Sequence, residues 1–81
     1  MIVYIITTEK IVYNGDTYCV IVPGIMGYFQ IFNNHDSILS ILDSGIIKII
    51  QKKNILLFKI NGGIVEVNNN IINIMVCDID K

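Results

Sequence analysis

Turn-forming residues cut this chain into short β-branched and aromatic runs, and that punctuation limits what it can fold into. Asn14-Gly15, Pro23-Gly24, Gly27, Asp43-Ser44-Gly45, Lys53-Asn54, Asn61-Gly62-Gly63 and Asn69-Asn70 all stand between runs, as does the polar segment Asn33-Asn34-His35-Asp36-Ser37. The runs themselves are residues 2–7, 9–13, 17–22, 28–32, 46–52, 55–60, 64–68 and 71–77. Ile, Val, Tyr and Phe favour strands because branched and ring side chains pack well on a pleated surface. Gly, Pro and Asn supply the backbone angles that turns need. Residues 38–42 fit either one helical turn or a short strand, and no stretch shows an amphipathic helix with caps. About eight to ten short strands at such spacing predict an all-β fold, a flattened β-sandwich or barrel in two sheets. The 81 residues read as one domain, 1–81.

Alternation within the runs predicts their faces. In 46–52, Ile46, Lys48, Ile50 and Lys52 form the wetter face. In 55–60, Leu56, Phe58 and Ile60 form the drier one. In the last run Ile72, Ile74 and Val76 point one way, while Ile71, Asn73, Met75 and Cys77 point the other. Residues 78–81 read as a charged tail, and Glu66 as a carboxylate facing water.

So small a body cannot hide all its apolar residues. The chain is 53% hydrophobic and only 16% charged, against a usual charged share of about 25%. Twenty of its residues are isoleucine, and alanine, arginine and tryptophan are absent. Mutation bias toward AT-rich codons explains the choice of isoleucine, but pattern still decides where apolar residues sit. Covering partners are the preferred explanation, because monomers rarely expose apolar patches beyond a few hundred Å². A net charge of −1 without arginine argues against a nucleic-acid partner, which needs a basic footprint. Lys52-Lys53 reads as a solvated hairpin turn. Cys19 and Cys77, far apart and without metal or redox spacing, read as two buried, reduced thiols. The stretch MIVYIITTEK lacks the features of a secretory leader. The longest uncharged stretch, 17–34, is too interrupted to span a membrane.

Residue chemistry gives no catalytic site. His35 is the sole imidazole, and with Asp36 alone beside it the ligands are too few for a metal. Its default role is a loop hydrogen bond. Nothing frames Cys19 as an activated nucleophile for a Cys–His pair. Gly24 and Gly27 have the spacing of a phosphate cradle but no lysine or following helix. The expectation is therefore no catalytic residue, no cofactor and no metal.

Five segments in order resemble the epsilon subunit of F-type ATP synthase. That family shows Val-x-x-Pro-Gly-x-x-Gly-x-x-Gly-Ile-x-Pro-x-His. Here VIVPGIMGYFQIFNNH places Pro23, Gly24, Gly27, Ile31 and His35 in register. The family's Leu-Leu-x-x-Leu-x-x-Gly-x-x-x-Ile is matched in ILSILDSGIIKI by Ile38, Leu39, Leu42, Gly45 and Ile49. Its glycine-pair segment is matched in NGGIVEV by Gly62, Gly63, Glu66 and Val67. NIINIMVCD, 70–78, is similar to the closing strand, and TTEKIVYNG, through Glu9, Val12 and Gly15, to an early one. Some positions depart from the pattern. Gln30 and Asn34 stand where glycine is usual, and Asn33 and Ser37 where proline is common. Gly-to-Asn is the mildest exchange if positive φ is needed there. Tyr28 replaces a common glutamate, which would exchange an electrostatic contact for an apolar or stacking one.

The resemblance implies a flattened β-sandwich in the central stalk of a rotary ATP synthase, a non-catalytic subunit on the cytoplasmic face of the plasma membrane. It would bind the gamma subunit and rest on the ring of c-subunits, coupling ion-driven rotation to ATP synthesis. By alignment, Thr7 and Ser40 fall at the gamma contact, and Met26, Gly27, Tyr28, Phe29 and His35 on the end facing the c-ring. Because the sequence stops at Lys81, the family's inhibitory helical hairpin is not expected in it. The alternative reading from the residues is a small β-sandwich that binds an apolar ligand or a protein partner. An enzyme using His35 or Cys19 is a third.

Overall fold

The structure, a computed structural model, describes residues 1–77, Ile79 and the backbone of Asp80. Eight strands follow in order: β1 (Ile2–Ile6), β2 (Ile11–Asp16), β3 (Cys19–Gly24), β4 (Gly27–Phe32), β5 (Ile38–Ile50), β6 (Ile55–Asn68), β7 (Ile71–Val76) and β8 (Ile79–Asp80). Seven lie on one hydrogen-bonded path, β2-β1-β7-β6-β5-β3-β4, and β8 pairs with β6 off that path. Only β1 and β7 run parallel; every other pair is antiparallel. The ambiguous segment 38–42 is strand. The expected charged tail divides: Ile79–Asp80 pair with Ile60 and Lys59, while Asp78 and Lys81 lie outside the described residues.

The two expected sheets are joined by two long strands. β5 and β6 have 13 and 14 residues, where the sequence reads two short segments each, separated by breakers. They pair along their whole length in one register, from Ile38↔Val67 to Ile50↔Ile55. The apparent breakers Asp43-Ser44-Gly45 and Asn61-Gly62-Gly63 sit opposite one another in that ladder, with Leu42↔Gly63 and Ser44↔Asn61. Gly62 there has φ +101°, an angle that favours glycine. Beyond this corner β6 changes neighbours: Gly63 to Asn68 pair with β7, whereas Lys59 and Ile60 pair with β8. One layer thus comprises β2, β1, β7 and the adjoining halves of β6 and β5. The other comprises the remaining halves with β3 and β4.

Both layers share a core. Val3, Ile5, Val65, Val67, Ile72 and Ile74 from the first layer and Val20, Val22, Ile31, Ile47, Ile49 and Ile60 from the second form one buried cluster. The body measures 26 × 26 × 21 Å. The predicted faces hold: Ile47 and Ile49 are buried while Ile46 is exposed, and Ile72, Ile74 and Val76 all point inward. Among the described residues Thr17 is the buried polar one, its hydroxyl 2.8 Å from both the Cys19 and Ile50 carbonyls. No buried side-chain polar atom among the described residues lacks a partner, as native interiors require.

Three local expectations are corrected. Asn14-Gly15 is not a turn, because β2 runs on to Asp16 and pairs Asn14 and Gly15 with Tyr4 and Val3. The β3–β4 turn is not Pro23-Gly24. Both residues belong to β3, Gly24 pairs with Gly27, and the tip is Ile25-Met26. Pro23 fits within a strand because the β3–β5 pairing lapses between Ile21 and Gly24, where its missing N–H is not needed. Of the two free cysteines Cys19 is buried, but Cys77 is exposed on the outward side of the last strand's alternation.

Candidate functional site

The outer face of the first layer carries one set of exposed apolar residues. Ile41 on β5 is opposite Ile64 on β6, Ile64 opposite Met75 on β7, Met75 opposite Ile6 on β1, and Ile6 opposite Ile11 on β2. Ile41, Ile64, Met75 and Ile11 are all exposed, and Ile6 is half-buried. The neighbouring row, one residue along each strand, contains Val65, Ile74 and Ile5, all fully buried. The pleat therefore directs one row into the core and the next into solvent. Four inter-strand spacings make the outer row about 19 Å long.

The residues assigned by resemblance fall around this face, but not in the expected groups. Ser40 precedes Ile41 and is half-buried; Thr7 follows Ile6 and is half-buried. They flank opposite ends of the row. The Thr7 hydroxyl is 3.3 Å from the Lys10 carbonyl and from the Glu9 and Lys10 N–H groups, so it orders the β1–β2 connection. Ser40 lies instead beside the β3–β4 tip, in a surface depression of about 360 Å³ lined by Met26, Gly27, Phe29, Leu39 and Ile41. A hydrogen bond from the Ile25 N–H to the Ile41 carbonyl, 3.2 Å, holds the tip there.

Within the tip Met26 is the more exposed, at 98%, and Ile25 is exposed as well. Tyr28 is 60% exposed, yet its hydroxyl accepts from the Ile46 N–H at 3.0 Å and ties the ring to β5. Phe29 points inward and packs on the core. Alternation forces this difference, since Phe29 shares a strand face with buried Ile31. His35 lies beyond the other end of β4, separated from the tip by the length of that strand. Its Nδ1 donates to the Asp36 carbonyl at 2.8 Å, and its backbone N–H to Phe32. The His35 loop is fastened to the β6–β7 turn: the Asn34 N–H donates to Asn70 Oδ1 at 2.8 Å, and Asn70 Nδ2 to Asn33 Oδ1 at 2.7 Å.

The row Ile6, Ile11, Ile41, Ile64 and Met75 was not readable as a site. Alternation marks each residue as outward, but only inter-strand register lines them up. Among the described residues no group of three or more His, Cys, Asp or Glu side chains could hold a metal ion. A depression of about 440 Å³ is lined by end-of-strand residues such as Asp16, Tyr18 and Lys52 rather than by the core cluster. No helix among the described residues is long and apolar enough to cross a membrane.

These features define an all-β sandwich domain with an apolar outer face. The sequence matches the family model described as the β-sandwich domain of the ATP synthase Delta/Epsilon chain over residues 1–80, and the chain belongs to that family. It is 37% identical over 73 residues to the ATP synthase epsilon chain of Leptospira interrogans, covering 90% of this chain and 58% of the relative. It is 42% identical over 67 residues to that of Protochlamydia amoebophila, covering 82% and 46%. The chain thus spans about half the length of the curated relatives it matches. A solved central stalk and c-ring of Tetrahymena thermophila mitochondrial ATP synthase contains a chain with TM-score 0.82 and 26% identity, covering 99% of this chain and 65% of that one. A Euglena gracilis mitochondrial ATP synthase structure shares the fold at TM-score 0.91 and 14% identity, covering 99% and 52%.

Proposed function

We propose that this chain is an epsilon-type rotor-stalk subunit of an F-type ATP synthase. It acts as one unit over residues 1–81, without catalysis of its own, peripheral to the cytoplasmic face of the plasma membrane. Its outer face packs on the gamma subunit and one end rests on the c-ring, so that ion-driven rotation of the ring reaches the catalytic head through gamma. Family membership and the likeness to a chain of a central stalk and c-ring support this reading. The observation that carries it is the exposed row Ile41–Ile64–Met75–Ile6–Ile11. A row of apolar residues across five strands favours burial against a protein surface.

Thr7 and Ser40, at the two ends of that row, mark its limits at the gamma contact. Met26 and Gly27, with Tyr28, Phe29 and His35 nearby, belong to the c-ring side. Met26 supplies the direct contact. Tyr28 shapes the tip through Ile46, Phe29 anchors it from inside, and His35 orders its own loop. Co-expression with gamma tests the reading. The chain should co-purify with gamma and show no ATPase activity, and Met26→Asp should weaken retention on c-ring-containing membranes while leaving gamma binding intact. A chain that never co-purifies with gamma would overturn it.

A further inference from the structure

The outer face of the first layer is not apolar throughout. Next to the row that holds Ile64, Met75 and Ile6 lies a polar stripe, displaced along the strands to the next outward residues. Glu66 on β6 is opposite Asn73 on β7, and Asn73 is opposite Tyr4 on β1. Opposed residues share a face, and Glu66 is exposed while Asn73 and Tyr4 are half-buried. On the far side of the stripe Ile71 is opposite Ile2, and both are exposed. The stripe is thus enclosed between apolar residues. Among the described residues the Glu66 carboxylate, the Asn73 carboxamide and the Tyr4 hydroxyl have no hydrogen-bond or ionic partner. The described lysines lie elsewhere: Lys48 and Lys59 on the second-layer halves of β5 and β6, Lys52 and Lys53 between them, and Lys10 in the β1–β2 connection. Asp16, opposite Ile2 on the same face, is also acidic.

We propose that Glu66 is the position at which this face selects its partner by charge: it receives a basic side chain, arginine or lysine, from the gamma subunit. The inference rests on the gamma contact proposed above. In water the carboxylate needs no partner. Once a protein surface covers the apolar residues on both sides of the stripe, the carboxylate loses that water, and a desolvated carboxylate without a cation is strongly disfavoured. This chain supplies no cation there, so the covering surface must. The shape beside Glu66 fits such a side chain. A surface depression of about 320 Å³ adjoins it, lined by Leu39, Ser37 and Asn68. Leu39 is exposed and directly opposite Glu66. The methylene stem of a lysine or arginine packs on such an apolar residue while its head reaches the carboxylate. The Asn73 carboxamide, one strand spacing of about 4.8 Å from Glu66, offers a second acceptor to the same head.

Titration of purified gamma with the wild-type chain and with Glu66→Gln tests this. The variant keeps the size of the side chain and removes its charge, and at an exposed position it should melt with the wild type. Its affinity for gamma should fall at least about tenfold. Glu66→Lys, which sets like charges together, should lose more. A panel of gamma variants, each with one Arg or Lys changed to Ala, then finds the partner. One of them should weaken binding of the wild-type chain at least about tenfold and leave binding of Glu66→Gln nearly unchanged, a coupling that a purely structural role of Glu66 does not produce. A wild-type chain that does not bind gamma removes the gamma reading itself, and the Glu66 pairing with it. A wild-type chain that binds, alongside a Glu66→Gln chain that binds equally well, places the carboxylate outside the contact and overturns the pairing alone. Tighter binding of Glu66→Gln overturns it too, since the carboxylate would then be covered without a cation. So does a panel in which no Arg or Lys of gamma is coupled to Glu66.

Discussion

Replacing Asn70 separates two contributions that one asparagine makes to the β6–β7 turn. Asn69 and Asn70 have φ of 50° and 63°, the pair of positive angles that a two-residue hairpin turn of this hand needs. The Asn70 side chain also reaches the Asn33-Asn34 loop with two hydrogen bonds, of 2.8 and 2.7 Å. Asn70→Gly removes those bonds but suits the backbone. At roughly 0.5–1 kcal/mol per exposed bond it should cost about 1–2 kcal/mol. Asn70→Ala removes them and also forces a left-handed angle on alanine, adding about 1 kcal/mol, for a total of about 2–3 kcal/mol. In a chain of this size each kcal/mol shifts Tm by about 4–8 °C. Alanine should therefore melt about 4–8 °C below glycine, and glycine below wild type by a similar interval or somewhat more. Circular dichroism melts with urea titrations give both differences. Equal stability of the two variants would refute the backbone argument, and a glycine variant as stable as wild type would refute the side-chain clamp.

Further outcomes follow from single contacts. Gly63→Ala would place a Cβ against the backbone carbonyl of Met75, which cannot swing aside, and should cost about 1–3 kcal/mol in urea denaturation. Ile74→Ala, at a fully buried position, should cost about 2–5 kcal/mol, whereas Met26→Asp at the tip should stay within about 0.5 kcal/mol. Phe29→Asp, placing a charge against the core, should unfold the chain at room temperature, as seen by loss of the cooperative melt. A thiol reagent should modify Cys77 rapidly in the native state and Cys19 only in denaturant, because Cys77 alone is exposed.

Much of the fold was legible in sequence because burial in sheets has a period of two. Ile47 and Ile49 against Ile46 and Lys48 could be sorted without coordinates, as could Ile72, Ile74 and Val76. Asn34 was legible in a subtler way. It occupies a position where the related family favours glycine, and it has the positive φ, 61°, that the exchange implies. What escaped was the meaning of the breakers. Asp43-Ser44-Gly45 and Asn61-Gly62-Gly63 each look like a turn in sequence. Only the ladder shows that they lie opposite one another and bend two long strands around one corner. The tip was misplaced by two residues because Pro23 sits where strand pairing lapses, a tolerance that depends on β5. The outward aim of Tyr28 and the inward aim of Phe29 follow from alternation with Ile31, once 28–32 is treated as a strand throughout.

The apolar outer row was the least legible feature, since it is assembled from five strands and one of its contacts, Met75 with Ile6, depends on the parallel β1–β7 pairing. Titration of purified gamma with wild-type chain and with an Ile64→Asp variant is therefore the sharpest test of the row's role. Ile64 lies within the row, between Ile41 and Met75, and is exposed, so the variant should fold. Burying an unpaired carboxylate within an interface should cost at least about 2 kcal/mol, a loss of affinity of roughly thirtyfold. Wild-type binding together with that loss is the predicted result. Unchanged affinity of a folded Ile64→Asp chain for gamma would contradict it.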